Sequence, residues 1–430
     1  MNAADSHRDK APAGSGDGPA AVPPLKILCV FGENSYGDPA RGKTHEFTNF
    51  LPALRAAGHQ VQLFDSFARK EGGDFAALNL ELLRVAAAFR PDVIFLVLMG
   101  YEVWTETLDL IRSHSPALTI NWGTDDSWKF DQVSRFLAPH LDFHVTTHKA
   151  ALQRAEALGL KNVLRSQWAT SESRLAAPLP SSACKYDVSF VGQLYGRRRS
   201  WIEGLRARGI PVAAFGYGSE RGTVGADEVF EIYRSSRISL NFSDAGQKFL
   251  GRSRNIPQIK ARVFEVTGAG GFLLTQAADD LPDFFRIGEE IDTFADLDEL
   301  ARKIERYLNR PVVRDRIAHA GQARTCAEHT YQRRFSDLLR EALRRVPGNR
   351  RNIPWALTAE MLAPHVARHR NTAAIRPLRA VLELPAQAMF GKKRGARAAR
   401  RLLFEVSRRF LGERTFSAAG LPGRLFYEES

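Results

Sequence analysis

Residues 186–218 read "YDVSFVGQLYGRRRSWIEGLRARGIPVAAFGYG". "YDVSFVG" (186–192) is an apolar, β-branched run of strand length that stops at a glycine. "QLYGRRRSWIEGLRARG" supplies a loop and a helix, and "IPVAAFGYG" (210–218) supplies the next strand and its loop. Strands alternating with helices predict a parallel sheet with both faces covered. Further strands are predicted at "RISLNFS" (237–243), "GGFLLT" (270–275) and "EEIDTF" (289–294).

The same alternation runs through the first part of the chain. Strands are predicted at "LKILCVF" (25–31), "HQVQLFD" (59–65), "PDVIFLVLM" (91–99), "LTINWG" (118–123) and "FHVTTH" (143–148). Between the first two, Phe47, Phe50, Leu51 and Leu54 sit at helical spacing, with Thr44 as cap and Gly58 as stop. Pro and Ser cluster in "AAPLPSSACK" (176–185), a linker that puts a hinge near 170–185. The expected fold is α/β, with two doubly wound domains facing a cleft. The expected boundaries are a disordered leader over 1–24, a first domain over 25–175, a second over 185–340 and a basic helical extension over 341–430.

Bulk composition agrees with a chain of this kind. The 430 residues are 44% hydrophobic and 25% charged, ordinary for globular domains. Cys29, Cys184 and Cys326 are too few and too scattered for a disulfide framework or a metal-ligand spacing, which predicts a reducing, cytoplasmic setting. The N-terminus is rich in Ala, Gly and Pro and lacks the basic start and apolar run of a signal peptide. No stretch has the length of a membrane span; the longest candidate, "VIFLVLMG" (93–100), is strand-sized. The net charge of +13 is concentrated at the end, where residues 341–430 carry 18 basic and 7 acidic side chains. That basic, amphipathic stretch fits solvated helices packed on the body, or a segment drawn to an anionic membrane or a polyanionic acceptor. It carries no recognisable nucleic-acid module, so nucleic acid is not an expected partner.

"GDPARGKT" (37–44) has the spelling of a phosphate-binding P-loop, which would make the chain an NTPase or kinase using Lys43 and Thr44. The context is wrong for one. Five residues separate Gly37 from the end of the strand, Asp38 brings negative charge, and Pro39 removes a backbone donor. The loop still opens where ligands gather, at a strand's carboxyl end, and His45 beside it is a candidate general base.

Residues 259–335 settle the class. "RVFEVTGAGGFLLT", "DLPDFFRIGEEI" and "EHTYQRR" occur in that order, preceded by "YDVSFVGQLYGRRR" and "YRSSRISLNFS". This region resembles the C-terminal half of glycosyltransferases of the GT-B fold, most closely the CgeB-like, family 1-like group; "NWGTDDSWKF" in the first domain is similar to that group as well. The resemblance implies two Rossmann-like domains, a nucleoside-diphosphate sugar as donor substrate with no cofactor, and a glycan, lipid or protein acceptor. It implies that Glu265 accepts hydrogen bonds from the ribose hydroxyls, a task suited to a carboxylate with two acceptor oxygens. Arg198 and Arg262 are the expected diphosphate cations. Gly192 and Gly216 are expected to let backbone approach the donor, with Gly216 near the nucleobase, and Gly270 is expected to let it approach the ligand or the next strand. Asp125 and Asp126 join His45 as candidates to activate the acceptor. No metal is predicted, because adjacent Asp residues on a strand point apart. His329 and Tyr331 are expected to pack the final helix. One departure from the resembled enzymes is plain: many retaining members carry a second glutamate eight positions before this one, where this chain has Pro257. The stereochemical outcome therefore stays open. A non-catalytic binding protein of the same fold is the remaining alternative.

Overall fold

The computed structural model describes residues 22–68, 73–194, 196–249 and 252–427. Residues 1–21, most of the expected leader, lie outside them. Six strands form a first, wholly parallel sheet: β1 (Lys26–Phe31), β2 (Gln60–Asp65), β3 (Val93–Leu96), β4 (Leu118–Gly123), β5 (Phe143–Thr146) and β6 (Val163–Arg165). Their order is β2-β1-β3-β4-β5-β6. β1 shows why these strands read as unbroken apolar runs. Ile27, Cys29 and Phe31 pack with Phe50, Phe95 and Trp122 on one face, while Leu28 and Val30 pack with Leu82, Leu83 and Ile94 on the other. A parallel sheet covered by helices on both sides needs apolar residues at odd and even positions alike.

The second sheet contains β7 (Tyr186–Val191), β8 (Ala213–Phe215), β9 (Ser236–Asn241), β12 (Leu273–Gln276) and β13 (Asp292–Phe294), in the order β13-β12-β9-β7-β8. All of its pairings are parallel. Between β9 and β12 lies an antiparallel hairpin, β10 (Asp244–Phe249) and β11 (Arg252–Pro257). The sequence does not announce it, since "DAGQKF" and "RSRNIP" lack apolar alternation. β6, three residues long, is equally silent.

The chain then returns to where it began. The helix Tyr331–Arg345 follows the second sheet in sequence but packs on the first. Its Phe335 ring lies 5.1 Å from Phe50, 5.5 Å from Phe95 and 6.1 Å from Trp122, and it is wholly buried. Beyond it, Arg350 reaches Asp142 at 2.9 Å and donates to the carbonyls of Ser115 and Ala117, so a buried guanidinium ties the extension to the first sheet. Arg370 pairs with Asp74 at 2.9 Å. The last large feature is a helical hairpin, Arg376–Phe390 and Lys392–Leu411, turned at Gly391 with φ 79°. A Cβ at Gly395 would lie 2.4 Å from the Gln387 backbone, so the two helices meet at a glycine.

Candidate functional site

A cleft of about 470 Å³ opens between the two sheets. Thr44, His45 and Glu46 after β1, Met99 after β3 and Asp125 after β4 line one side; Arg198, Gln258, Arg262 and Glu265 line the other. Carboxyl ends of parallel strands make this kind of crevice, because the connections diverge there.

Glu265 and Arg262 come from one short helix, Arg262–Gly268. Burial raises the Glu265 carboxyl to about 7, with the Arg262 charge pulling it partly back. Arg262 Nη1 donates to Asn241 Oδ1 at 2.8 Å, and the guanidinium lies over the Phe190 ring at 5.2 Å. Its Nε is buried with no hydrogen-bond partner among the described residues. Arg198, buried at the start of the helix Arg197–Ala207, donates to the Gln193 carbonyl at 3.2 Å and lines the same cleft. Its neighbour Arg199 turns to the Gly218 carbonyl, at 3.0 Å.

The glycines also make close approaches within the chain. Gly192 has φ 152°, and a Cβ there would lie 2.5 Å from Arg262 Nη2, so this glycine seats an arginine. Gly216, with φ 116°, would place a Cβ 2.4 Å from the Gly192 carbonyl oxygen; it holds the ends of β7 and β8 together. Gly270 does not face the cleft. Its Cβ would meet the Pro178 nitrogen at 2.7 Å, so the close approach it permits is to the interdomain linker.

His45 lies in the cleft, yet it is poorly placed as a base. Its Nε2 is 2.6 Å from the Tyr331 hydroxyl, and its Nδ1 is 3.3 Å from Asn49 Nδ2 and 3.5 Å from Glu265. Burial pushes its pKa down to about 4, which leaves a neutral, weakly basic ring beside Glu265. Tyr331 thus touches the site while stacking on Phe335. His329 is buried, with Nε2 3.0 Å from the Phe284 carbonyl.

Asp125 and Asp126 part company. Asp125 faces the cleft and accepts from Gln258 Nε2 at 3.0 Å across the domain boundary. Asp126 points inward, 2.8 Å from His144 Nε2, and accepts from Ser134 Oγ at 2.6 Å. Burial alone would raise its pKa, but the His144 charge and these hydrogen bonds hold it below the usual carboxylate range. It is a structural carboxylate. Glu46, which the sequence pattern does not single out, lines the cleft instead. Burial raises its pKa against the opposing pull of its own backbone N–H and Lys129.

The P-loop spelling has no cradle behind it. The backbone donors of Gly37, Asp38, Arg41 and Gly42 are spent on carbonyls of the same loop, and Ala40 N–H on Asp38 Oδ1. Lys43 pairs with Glu33 at 2.5 Å at the surface, and Thr44 Oγ1 donates to the Gly32 carbonyl. A phosphate would find neither the free N–H groups nor the lysine such a site requires. Among the described residues, no three His, Cys, Asp or Glu side chains gather into a metal-holding group, and no helix is long and apolar enough to cross a membrane.

The profile of the family described as Glycosyl transferase-like matches residues 197–340, the stretch bearing Arg198, Arg262 and Glu265. No curated protein matches the chain. Among solved structures, the fold is similar to sucrose-phosphate synthase from Thermosynechococcus elongatus, at 13% identity and TM-score 0.53, covering 75% of this chain and 100% of that one. It is similar to a glycosyltransferase from Rickettsia africae, at 10% identity and TM-score 0.52, covering 76% and 100%. Anabaena Alr3699/HepE in complex with UDP-glucose is a third, at 13% identity and TM-score 0.52, covering 75% and 100%. The architecture is that of the two-domain GT-B glycosyltransferases.

Proposed function

We propose that this chain is a glycosyltransferase that moves a sugar from a nucleoside-diphosphate sugar, held by the second domain, to an acceptor hydroxyl held by the first. One observation carries this reading: the carboxylate and guanidinium of a single helix, Glu265 and Arg262, meet Arg198 and the first-domain carboxylates Glu46 and Asp125 in one cleft. Glu265 takes the ribose hydroxyls. Arg262 and Arg198 neutralise the diphosphate, in place of a metal, as the anomeric C–O bond breaks and the electron pair leaves with the phosphate. The acceptor oxygen forms the new bond to the anomeric carbon, and its proton passes to Glu46, whose raised pKa makes it a better base than an ordinary glutamate. Asp125 holds the acceptor. The two domains close to keep water from the donor. We place the enzyme in the cytoplasm, with its basic extension on an anionic membrane face.

The test is thermal shift against UDP, GDP, dTDP, ADP and ATP. At a hundredfold excess over Kd, a true ligand stabilises by about 2.7 kcal/mol. Stabilisation by a diphosphate should vanish in Glu265→Ala and persist in Lys43→Ala; the reverse pattern overturns the assignment in favour of the P-loop. Binding without turnover of any sugar donor leaves a non-catalytic binding protein.

A pH series tests Glu265 directly. The ionised carboxylate is the form that accepts two hydroxyl donors. Affinity for UDP-glucose, whose diphosphate does not titrate near neutrality, is expected to climb as pH rises through about 7. Glu265→Gln should flatten the curve in calorimetric titrations, and a flat curve for the parent chain removes Glu265 from the ribose site. The ligand-free fold runs the other way. Burial favours the protonated carboxyl, so that contribution to stability is complete below the ordinary value of 4.5 and is lost as pH rises through about 7.

A further inference from the structure

A second pocket, about 500 Å³, lies between the first domain and the helix Lys392–Leu411. It shares Tyr36, Phe67, Met99 and Asp125 with the cleft, so the two spaces adjoin. Its lining adds Phe75, Tyr101 and Phe404, the cations Lys129, Arg400 and Arg401, and the carboxylates Glu102 and Glu405, of which Glu102 accepts from the backbone of Met99 and Gly100 and Glu405 pairs with Arg408. Arg400 Nε is buried with no hydrogen-bond partner among the described residues. A larger cavity nearby, about 1030 Å³, is lined by the pairs Arg154 with Asp131 and Arg408 with Glu405, and it shares Glu405 with this pocket.

The helix that roofs the pocket has eight basic residues and one acidic residue. Leu402, Val406 and Phe410 recur at four-residue spacing on it and are 48%, 44% and 82% exposed. On the other arm of the hairpin Val381, Leu384 and Met389 are exposed as well. A helix with an apolar stripe flanked by arginines is suited to lie in a lipid interface.

We propose that this pocket is the acceptor subsite and that the acceptor is an anionic amphiphile, a lipid-linked molecule. Its apolar segment lies along Met99, Tyr101 and Phe404, its acidic group meets Arg400 and Arg401, and its hydroxyl reaches the cleft beside Asp125. This assignment rests on the transferase reading above and names the substrate class of that site. The hairpin's exposed stripe sets the pocket at the surface from which such an acceptor is drawn.

The probe is monododecyl phosphate below its micellar concentration, titrated into the full chain. Inorganic phosphate and a neutral dodecyl ether serve as controls. The phosphate ester should bind at least tenfold more tightly than either control. Arg400→Glu should weaken it at least tenfold while UDP stabilisation stays unchanged. A chain brominated at its end should quench tryptophan fluorescence, and Trp128→Phe, which removes the pocket's own indole, should abolish that quenching. Equal binding of inorganic phosphate makes this a free-phosphate site and overturns the proposal. Equal binding of the neutral ether, or undiminished binding by Arg400→Glu, does the same. UDP stabilisation without dodecyl phosphate binding sinks the acceptor assignment alone. Dodecyl phosphate binding without any nucleotide stabilisation sinks the donor reading, and the acceptor role with it.

Discussion

Arg262→Ala is expected to lower donor turnover by about 10²–10³-fold, equivalent to roughly 3–4 kcal/mol of transition-state stabilisation. On the proposed reading the leaving diphosphate gains negative charge as the glycosidic bond breaks, and the guanidinium proposed to meet it is already held. Asn241 fixes Nη1, the Phe190 ring supports the plane, and Gly192 leaves room above Nη2. Because the charge it meets develops only as the bond breaks, its effect should fall on kcat more than on affinity for the intact sugar donor. Arg262→Lys should recover only part of the rate, since an ammonium cannot keep one hydrogen bond to Asn241 and present a planar fork to the phosphate. Steady-state kinetics with the donor found in the nucleotide panel decide it. An unchanged kcat in Arg262→Ala would move leaving-group stabilisation elsewhere.

Phe335→Ala is expected to cost about 3–5 kcal/mol of stability, the usual range for deleting a wholly buried phenyl ring. Its ring is the piece of the returning helix that fits among Phe50, Phe95 and Trp122, so the loss opens a void between that helix and the first sheet. Tyr331, one turn earlier, stacks on the same ring and reaches His45, so nucleotide binding should weaken as well. Denaturant midpoints report the first effect and calorimetry the second. A midpoint loss below about 1 kcal/mol would mean that other contacts hold the helix in place.

The strands most legible in the sequence are those buried on both faces, such as β1 and β4, because an unbroken apolar run has few other uses at that length. β6 and the β10–β11 hairpin carry no such run. At the site, Arg262, Glu265, Arg198 and Asp125 could be reached from their motifs. Glu46 could not, because locally it reads as an ordinary helix glutamate, and the residues it meets in the cleft, Asp125 and Glu265 among them, are distant in sequence. The inward turn of Asp126 has a signal in the sequence. His144 lies in the middle of an interior strand, and a buried imidazole there needs a partner. In "GAGG" the pattern showed that the backbone comes close to something; only the fold shows that Gly270 approaches the linker.

The chain passes between its two halves twice, and both passages run side by side. Thr170 N–H donates to the His329 carbonyl at 3.1 Å, and Tyr331 N–H to the Thr170 carbonyl at 2.9 Å. Two chain segments joined in this way separate only by breaking both hydrogen bonds, so the passages form one shared hinge, a pivot for the two halves. That pivot lies under the crevice, where Trp168 and Tyr331 both rest on the His45 ring. A crevice opened about that hinge would leave the imidazole with its tyrosine and carry Glu265 away from it, so the 3.5 Å gap between histidine and glutamate would gauge how far the crevice stands ajar.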